Sequence, residues 1–107
     1  MNIDVLEFIR TCIGEGRIYW TYHVNMRLKG RFISREAVLL SSDTYEIIEK
    51  YPEDKYLPSY LVYAEYEKNA IHIQIAIDEV NNNIRIITAY KPSPDKWEED
   101  LKRRKKI

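Results

Sequence analysis

The chain has 107 residues with 17 basic and 17 acidic side chains, so its net charge gives no indication of a nucleic-acid partner. Hydrophobic residues make up 45% of the sequence, which is enough for a packed core and excludes wholesale disorder. No apolar run has membrane-spanning length, no signal peptide is recognisable and Cys12 is the only cysteine. The sequence therefore predicts one cytoplasmic domain over residues 1–107, with no membrane partner, internal disulfide or cysteine-based metal cluster.

Helix start signals recur in the first part of the chain. Asn2 is a candidate N-cap for an amphipathic helix that the glycines at positions 14 and 16 end. Thr21 and Ser34 are candidate caps for two further helices. In chain order, the predicted elements are a helix at 5–13, a strand at 18–20, helices at 22–29 and 35–40, strands at 44–50, 60–67, 71–78 and 84–90, and a helix that starts at 93.

The stretch 71–90 predicts a β-hairpin with two different faces. Isoleucine occupies every odd position from 71 to 77, and alternate side chains of a strand share one face. His72 and Gln74 then point to the opposite, partly polar face. The asparagines at 81–83 supply turn chemistry, and a second apolar run follows them. Any chemistry is expected on the polar face.

Which residues share that face depends on the register of the hairpin. If Asp78 lies opposite Ile84, then His72 meets Tyr90. We favour this register because it gathers polar groups on one face, namely His72, Gln74, Thr88 and Tyr90. If Ile77 lies opposite Ile84 instead, Thr88 and Tyr90 join the isoleucine face. The sequence alone leaves both registers open.

The C-terminal region carries the signals of a last helix. Ser93 is a candidate N-cap with Pro94 at the first helical position, and Trp97 and Leu101 are spaced to dock the helix. The basic run at 102–107 is predicted to be a flexible tail. The order of elements predicts an α+β domain, with N-terminal helices packed on a four-stranded antiparallel sheet and a C-terminal helix.

Several separated residues together resemble a known family. They are His23, Arg27 and Arg31 in the spacing H-x-x-x-R-x-x-x-R, then Tyr51-Pro-Glu-Asp54, Pro58-Ser59-Tyr60-Leu61, His72, Thr88-Ala-Tyr90-Lys-Pro92 and Trp97. This ordered set is similar to a family of small bacterial domains of unknown function, regarded as related to the RelE-like toxins of toxin–antitoxin pairs. The chain departs from the family pattern where Phe32, and not glycine, follows Arg31.

The resemblance implies a RelE-like fold with a four-stranded sheet, cleavage of RNA, free or on the ribosome, and an antitoxin protein as partner. No metal or cofactor is expected, because the two histidines lie far apart without a carboxylate in a known ligand spacing and none of the three glycines is in a nucleotide-binding pattern. Such cleavage needs a base, an acid and cations for the phosphate. His72 and Tyr90 would transfer protons, and His23 would act with them. Arg27 and Arg31 would hold the phosphate because the guanidinium fork bonds two oxygens. The remaining predicted substrate-binding residues are Ser59 and Thr88.

Each of these roles has an ordinary structural alternative. His72 can be a strand histidine whose ring is satisfied by a backbone group or a carboxylate. His23 and Arg27 can form a solvated helix face, and Ser59 more often fixes its own turn. A rival function uses the same polar sheet face without catalysis, as a protein-binding domain. The zero net charge and the nine tyrosines fit this rival as well as they fit a nuclease.

Overall fold

A computed structural model describes residues 4–21, 24, 28 and 33–106. None of the helices in this part of the chain is both long and apolar enough to cross a membrane. The elements are α1 (Val5–Gly14), β1 (Ile18–Trp20), α2 (Arg35–Leu40), a 3₁₀ turn (Ser42–Thr44), β2 (Glu46–Tyr51), β3 (Ser59–Tyr66), β4 (Asn69–Asp78) and β5 (Asn83–Tyr90).

The predicted helix caps are largely found. The hydroxyl of Ser34 accepts a hydrogen bond from the backbone N–H of Ala37 at 3.0 Å and starts α2. Thr21 accepts from the N–H of Val24, also at 3.0 Å, and Val24 is helical. Most of the helix predicted at 22–29 lies outside the described residues, as does the predicted cap Asn2. The cap of α1 is Asp4.

The predicted RelE-like α+β architecture, with helices packed on a four-stranded antiparallel sheet, is wrong. The sheet has five strands in the order β1-β5-β4-β3-β2, and it is mixed because β1 pairs parallel to β5. Ile18 lies beside Ile84 and Trp20 beside Ile86. A short turn between two strands indicates in the sequence that they pair antiparallel. A parallel pair joins segments that are far apart in the chain. Hairpin signals therefore place β2 to β5 correctly and miss the partner of β1.

The predicted C-terminal helix is also wrong. Residues 92–106 form an irregular segment, here called the C-terminal lobe, in which Ser93 starts a single turn by accepting from the N–H groups of Lys96 and Trp97. The chain then reverses, and Trp97 forms an isolated antiparallel bridge with Arg104. Trp97 is 2% exposed because it packs on the sheet. Burial of this indole outweighs the local helix signals, which are weak compared with tertiary packing.

The isoleucine row is buried beneath helices, as predicted. All four isoleucines of β4 at odd positions from 71 to 77 are at most 3% exposed, and they belong to one cluster with Ile9 and Cys12 of α1 and Val38 of α2. Val24 and Leu28 are part of the same cluster. Fully burying an isoleucine stabilises a fold by about 1.5–3 kcal/mol, so this face carries much of the stability.

The hairpin uses both of the predicted registers. His72 lies opposite Tyr90, which is the favoured register, whereas Ile77 lies opposite Ile84, which is the alternative. The two halves meet at a β-bulge where Ile87 is the extra residue. The bulge keeps the isoleucines on the core face at one end and directs Tyr90 to the face of His72 at the other.

Candidate functional site

His72 is the centre of the polar sheet face. Its ring is completely buried, and both ring nitrogens have partners. Nδ1 lies 3.2 Å from the hydroxyl of Tyr90, the residue opposite it on β5. Nε2 lies 2.6 Å from the backbone carbonyl of Leu101 in the C-terminal lobe. The ring of Trp97 meets His72 edge-on at a centroid distance of 4.4 Å. Sheet and lobe together therefore enclose the imidazole.

These partners define the protonation state of His72. A carbonyl oxygen can only accept, so Nε2 carries the hydrogen and donates it to Leu101. Nδ1 of the neutral ring is then an acceptor, and the Tyr90 hydroxyl donates to it. Burial lowers the pKa of His72 below its usual value, although the hydrogen bond to Leu101 opposes the shift. The ring is consequently neutral at neutral pH.

The lowered pKa of His72 predicts that stability falls with acidity. The unfolded chain protonates its histidine near pH 6.5, but the folded chain resists protonation, so the unfolded state gains protons first. The stabilisation that comes from burying a neutral His72 is fully present above about pH 6.5. It is lost as the pH falls through the pKa that His72 has in the folded chain. Melting temperatures of the wild type and His72→Gln between pH 7.5 and 5 test this. The wild type should show the steeper loss, and equal slopes would contradict the prediction.

A cavity of about 530 Å³ opens between the end of β5 and the C-terminal lobe. Its described lining combines three cations, two aromatic rings and a hydroxyl, from Tyr90, Lys91, Ser93, Lys96, Trp97 and Arg104. We call it the cationic cavity, because no acidic side chain is among these lining residues. Neither Lys91 nor Lys96 forms an ion pair with any residue that the structure describes, and both are exposed. Their positive charge is available to an anion.

Ion pairs hold the C-terminal lobe on the sheet. Arg104 makes a two-pronged contact with Glu49 of β2 at 2.6 and 3.2 Å, and its guanidinium lies over the ring of Trp97. Lys102 pairs with Glu46 at 2.8 Å. Burial alone would raise the pKa of Glu49, but hydrogen bonds from Arg104 and Tyr51 outweigh it and keep that pKa below its usual value. Glu49 is therefore a charged anchor for the lobe.

The other predicted site residues fall into two groups. Ser59 is buried, where it donates to Asp54 at 2.5 Å and accepts from Gln74 at 2.8 Å. These contacts tie the loop before β3 to β4, which agrees with the turn-fixing alternative. Thr88 lies opposite Gln74 on the same face as His72. The second group lies outside the described residues and comprises His23, Arg27 and Arg31.

Sequence reasoning missed the lysines and the serine that line the cationic cavity. Ser93 is predicted only as a helix cap, and no role is predicted for Lys91 or Lys96. The available signal is the combination of two basic and two aromatic residues between Tyr90 and Trp97. The helix-start residues Ser93 and Pro94 lie in the same stretch, so local propensity favours a helix there and does not indicate a cavity.

Among the residues that the structure describes, no three histidine, cysteine, aspartate or glutamate side chains come together in a way that could hold an ion.

Comparison with known families decides the classification of the chain. The model of a family described as Domain of unknown function (DUF4258) matches residues 20–91, which is 72 of the 107 residues. The chain belongs to the DUF4258 family. The DUF4258 match includes His72 and Tyr90 and stops at Lys91, so the C-terminal lobe lies beyond it. No curated protein and no solved structure shows significant similarity to the chain.

Proposed function

We propose that this protein is a RelE-like toxin component that binds RNA in the cationic cavity and cleaves it without a metal. Its place of action is the cytoplasm, and an antitoxin protein is its partner. The observation that carries the proposal is the position of the cavity. Tyr90 lines it, and the hydroxyl of Tyr90 is bonded to the buried, neutral imidazole of His72. A site for an anion thus adjoins a group that can accept a proton.

The lining of the cavity suits a nucleotide phosphate. Lys91 and Lys96 supply ammonium groups that have no ion pair with any described residue, and the hydroxyl of Ser93 can donate a further hydrogen bond. Contacts from such groups to phosphate supply most of the sequence-independent affinity of proteins for RNA. The aromatic wall at Tyr90 and Trp97 offers ring surface to the sugar or base beside that phosphate.

The His72–Tyr90 pair can act as a proton relay. The Tyr90 oxygen would take the proton of the RNA 2′-hydroxyl while its own proton passes to Nδ1 of His72. The 2′-oxygen would then bond to the adjacent phosphorus, the bond to the 5′-oxygen would break, and that oxygen would leave with a proton from a cavity ammonium or water. The products are a 2′,3′-cyclic phosphate and a 5′-hydroxyl. The relay lets a histidine that RNA cannot reach serve as the base.

The charges of the cavity lead to a binding prediction. The double variant Lys91→Ala/Lys96→Ala should lower the affinity for a short single-stranded RNA by about 10-fold at about 0.1 M salt. The slope of log affinity against log salt concentration should also become shallower, by the equivalent of roughly one to two phosphate contacts. Fluorescence anisotropy with a labelled RNA measures both. The matched control is Lys50→Ala/Lys55→Ala, which removes two exposed lysines outside the cavity. Equal losses in the two double variants would assign binding to general charge and not to the cavity.

A second candidate function is the non-catalytic protein-binding domain. The observation that favours it is the complete satisfaction of the His72 ring, since a structural histidine has the same two partners and the same burial. Expression of the wild type and of Tyr90→Phe in bacteria separates the candidates. If the protein is a nuclease, the wild type should arrest growth and fragment RNA, and Tyr90→Phe should do neither. If it is a binding domain, RNA should stay intact when either protein is expressed.

A further inference from the structure

The backbone of Leu101 has a conformation that its residue type disfavours. Its φ is +58°, in the left-handed region that leucine seldom adopts. Among the described residues, the other non-glycine positions with positive φ are Glu67, Lys68 and Asn82, and these lie in the turns of the β-hairpins. Leu101 instead ends a turn inside the C-terminal lobe, where its N–H donates to the carbonyl of Glu98 at 2.8 Å. Glycine or asparagine is the usual residue at such a place.

The consequence of this conformation is the hydrogen bond to His72. The carbonyl of Leu101 accepts from Nε2 at 2.6 Å, the shortest contact of the buried ring. The lobe holds this carbonyl in place from both sides of Leu101. Trp97 packs edge-on against the same imidazole, and Arg104 and Lys102 are bound to Glu49 and Glu46 of β2.

We propose that Leu101 is a positioning residue, whose carbonyl fixes His72 in the tautomer that carries hydrogen on Nε2. With that tautomer fixed, Nδ1 must be the acceptor that faces Tyr90. When Nδ1 takes the proton of Tyr90, the Leu101 carbonyl also stabilises the imidazolium that forms. The relevance of Leu101 to RNA cleavage rests on the proposed function, whereas the assignment of the His72 tautomer does not. The C-terminal lobe, which lies beyond the family match, thereby completes the site.

The tautomer can be measured in the full chain without RNA. Nitrogen-15 chemical shifts of the His72 side chain distinguish a protonated ring nitrogen from an unprotonated one. At pH 7.5 we expect a single form with Nε2 protonated and Nδ1 not. Hydrogen on Nδ1, or an average of the two tautomers, would overturn the proposal. A purely space-filling lobe would not require either fixed form.

Two substitutions at the same position then test the carbonyl. Leu101→Gly permits positive φ, so His72 should keep its tautomer. Leu101→Pro cannot adopt positive φ and lacks the N–H that bonds Glu98, so the carbonyl should leave Nε2 and the two tautomers should mix. Loss of the fixed tautomer in the glycine variant, with Trp97 still buried, would show that the side chain matters and would overturn the proposal.

Cleavage provides the separate, functional readout. If the proposed function holds, Leu101→Pro should cleave RNA about 10–100-fold more slowly than Leu101→Gly, with little difference in RNA affinity between the two variants. A fixed tautomer in a protein that never cleaves RNA would refute the nuclease and leave the positioning of His72 intact. Cleavage that is unchanged in a Leu101→Pro protein with mixed tautomers would refute the catalytic role of Leu101. The two failures are thus distinguishable.

Discussion

Replacing His72 by alanine is expected to lower the free energy of unfolding by about 3 kcal/mol. The ring is completely buried, so the substitution leaves a cavity against Trp97. It also leaves the carbonyl of Leu101 without its donor and the hydroxyl of Tyr90 without its acceptor. A half-buried strand residue with none of these contacts would cost only about 1 kcal/mol.

Chemical denaturation of the wild type and His72→Ala measures this loss. Thr88→Ala is the matched control, because Thr88 is a half-buried residue of the same sheet face that packs less deeply. We expect the control to stay within about 1 kcal/mol of the wild type. A His72→Ala protein as stable as the control would show that the lobe does not depend on the imidazole. Because the alanine variant is expected to be so unstable, its loss of activity alone would not prove catalysis.

Tyr90→Phe is the variant that isolates the chemistry. It removes one oxygen, keeps the ring in the wall of the cavity, and should change stability by only about 1 kcal/mol. If the hydroxyl relays the proton, the RNA cleavage rate should fall by about 100-fold or more while RNA affinity stays nearly constant. Single-turnover cleavage with a labelled RNA, alongside anisotropy, separates the two quantities.

The outcome at Tyr90 distinguishes relay from binding. A variant that binds RNA more weakly but cleaves bound RNA at the wild-type rate would make Tyr90 a contact residue only. The melting temperature of Tyr90→Phe serves as the control. A large fall would show that the hydrogen bond to His72 stabilises the fold and does not act in the reaction.

The hairpin shows how far the sequence predicts this site. The alternation of isoleucines identifies the core face, and the pairing of His72 with Tyr90 follows from one of the two registers considered. The coexistence of both registers depends on the bulge at Ile87, and nothing in an apolar run marks which residue will be left over. The sequence therefore predicts the central pair but not the geometry that joins it to the core.

The C-terminal lobe shows where local signals fail. Ser93 and Pro94 are good helix starters, and Ser93 does start one turn. The path of the chain after this turn depends on the packing of Trp97 against His72, which is distant in sequence and belongs to β4. Contacts of this kind come from the whole fold, so neither the lobe nor the cavity beside it follows from propensity. The parallel pairing of β1 fails to be predicted for the same reason.

We propose above that the cationic cavity binds RNA next to Tyr90. Its most direct test is a nuclear magnetic resonance titration of nitrogen-15-labelled wild-type protein with a short 2′-O-methyl RNA, which cannot be cleaved. If RNA binds in the cavity, the backbone amides of Lys91, Ser93 and Lys96 and the indole N–H of Trp97 should show saturable shifts. Shifts confined to surfaces away from these residues, or no saturable shift at millimolar RNA, would contradict it.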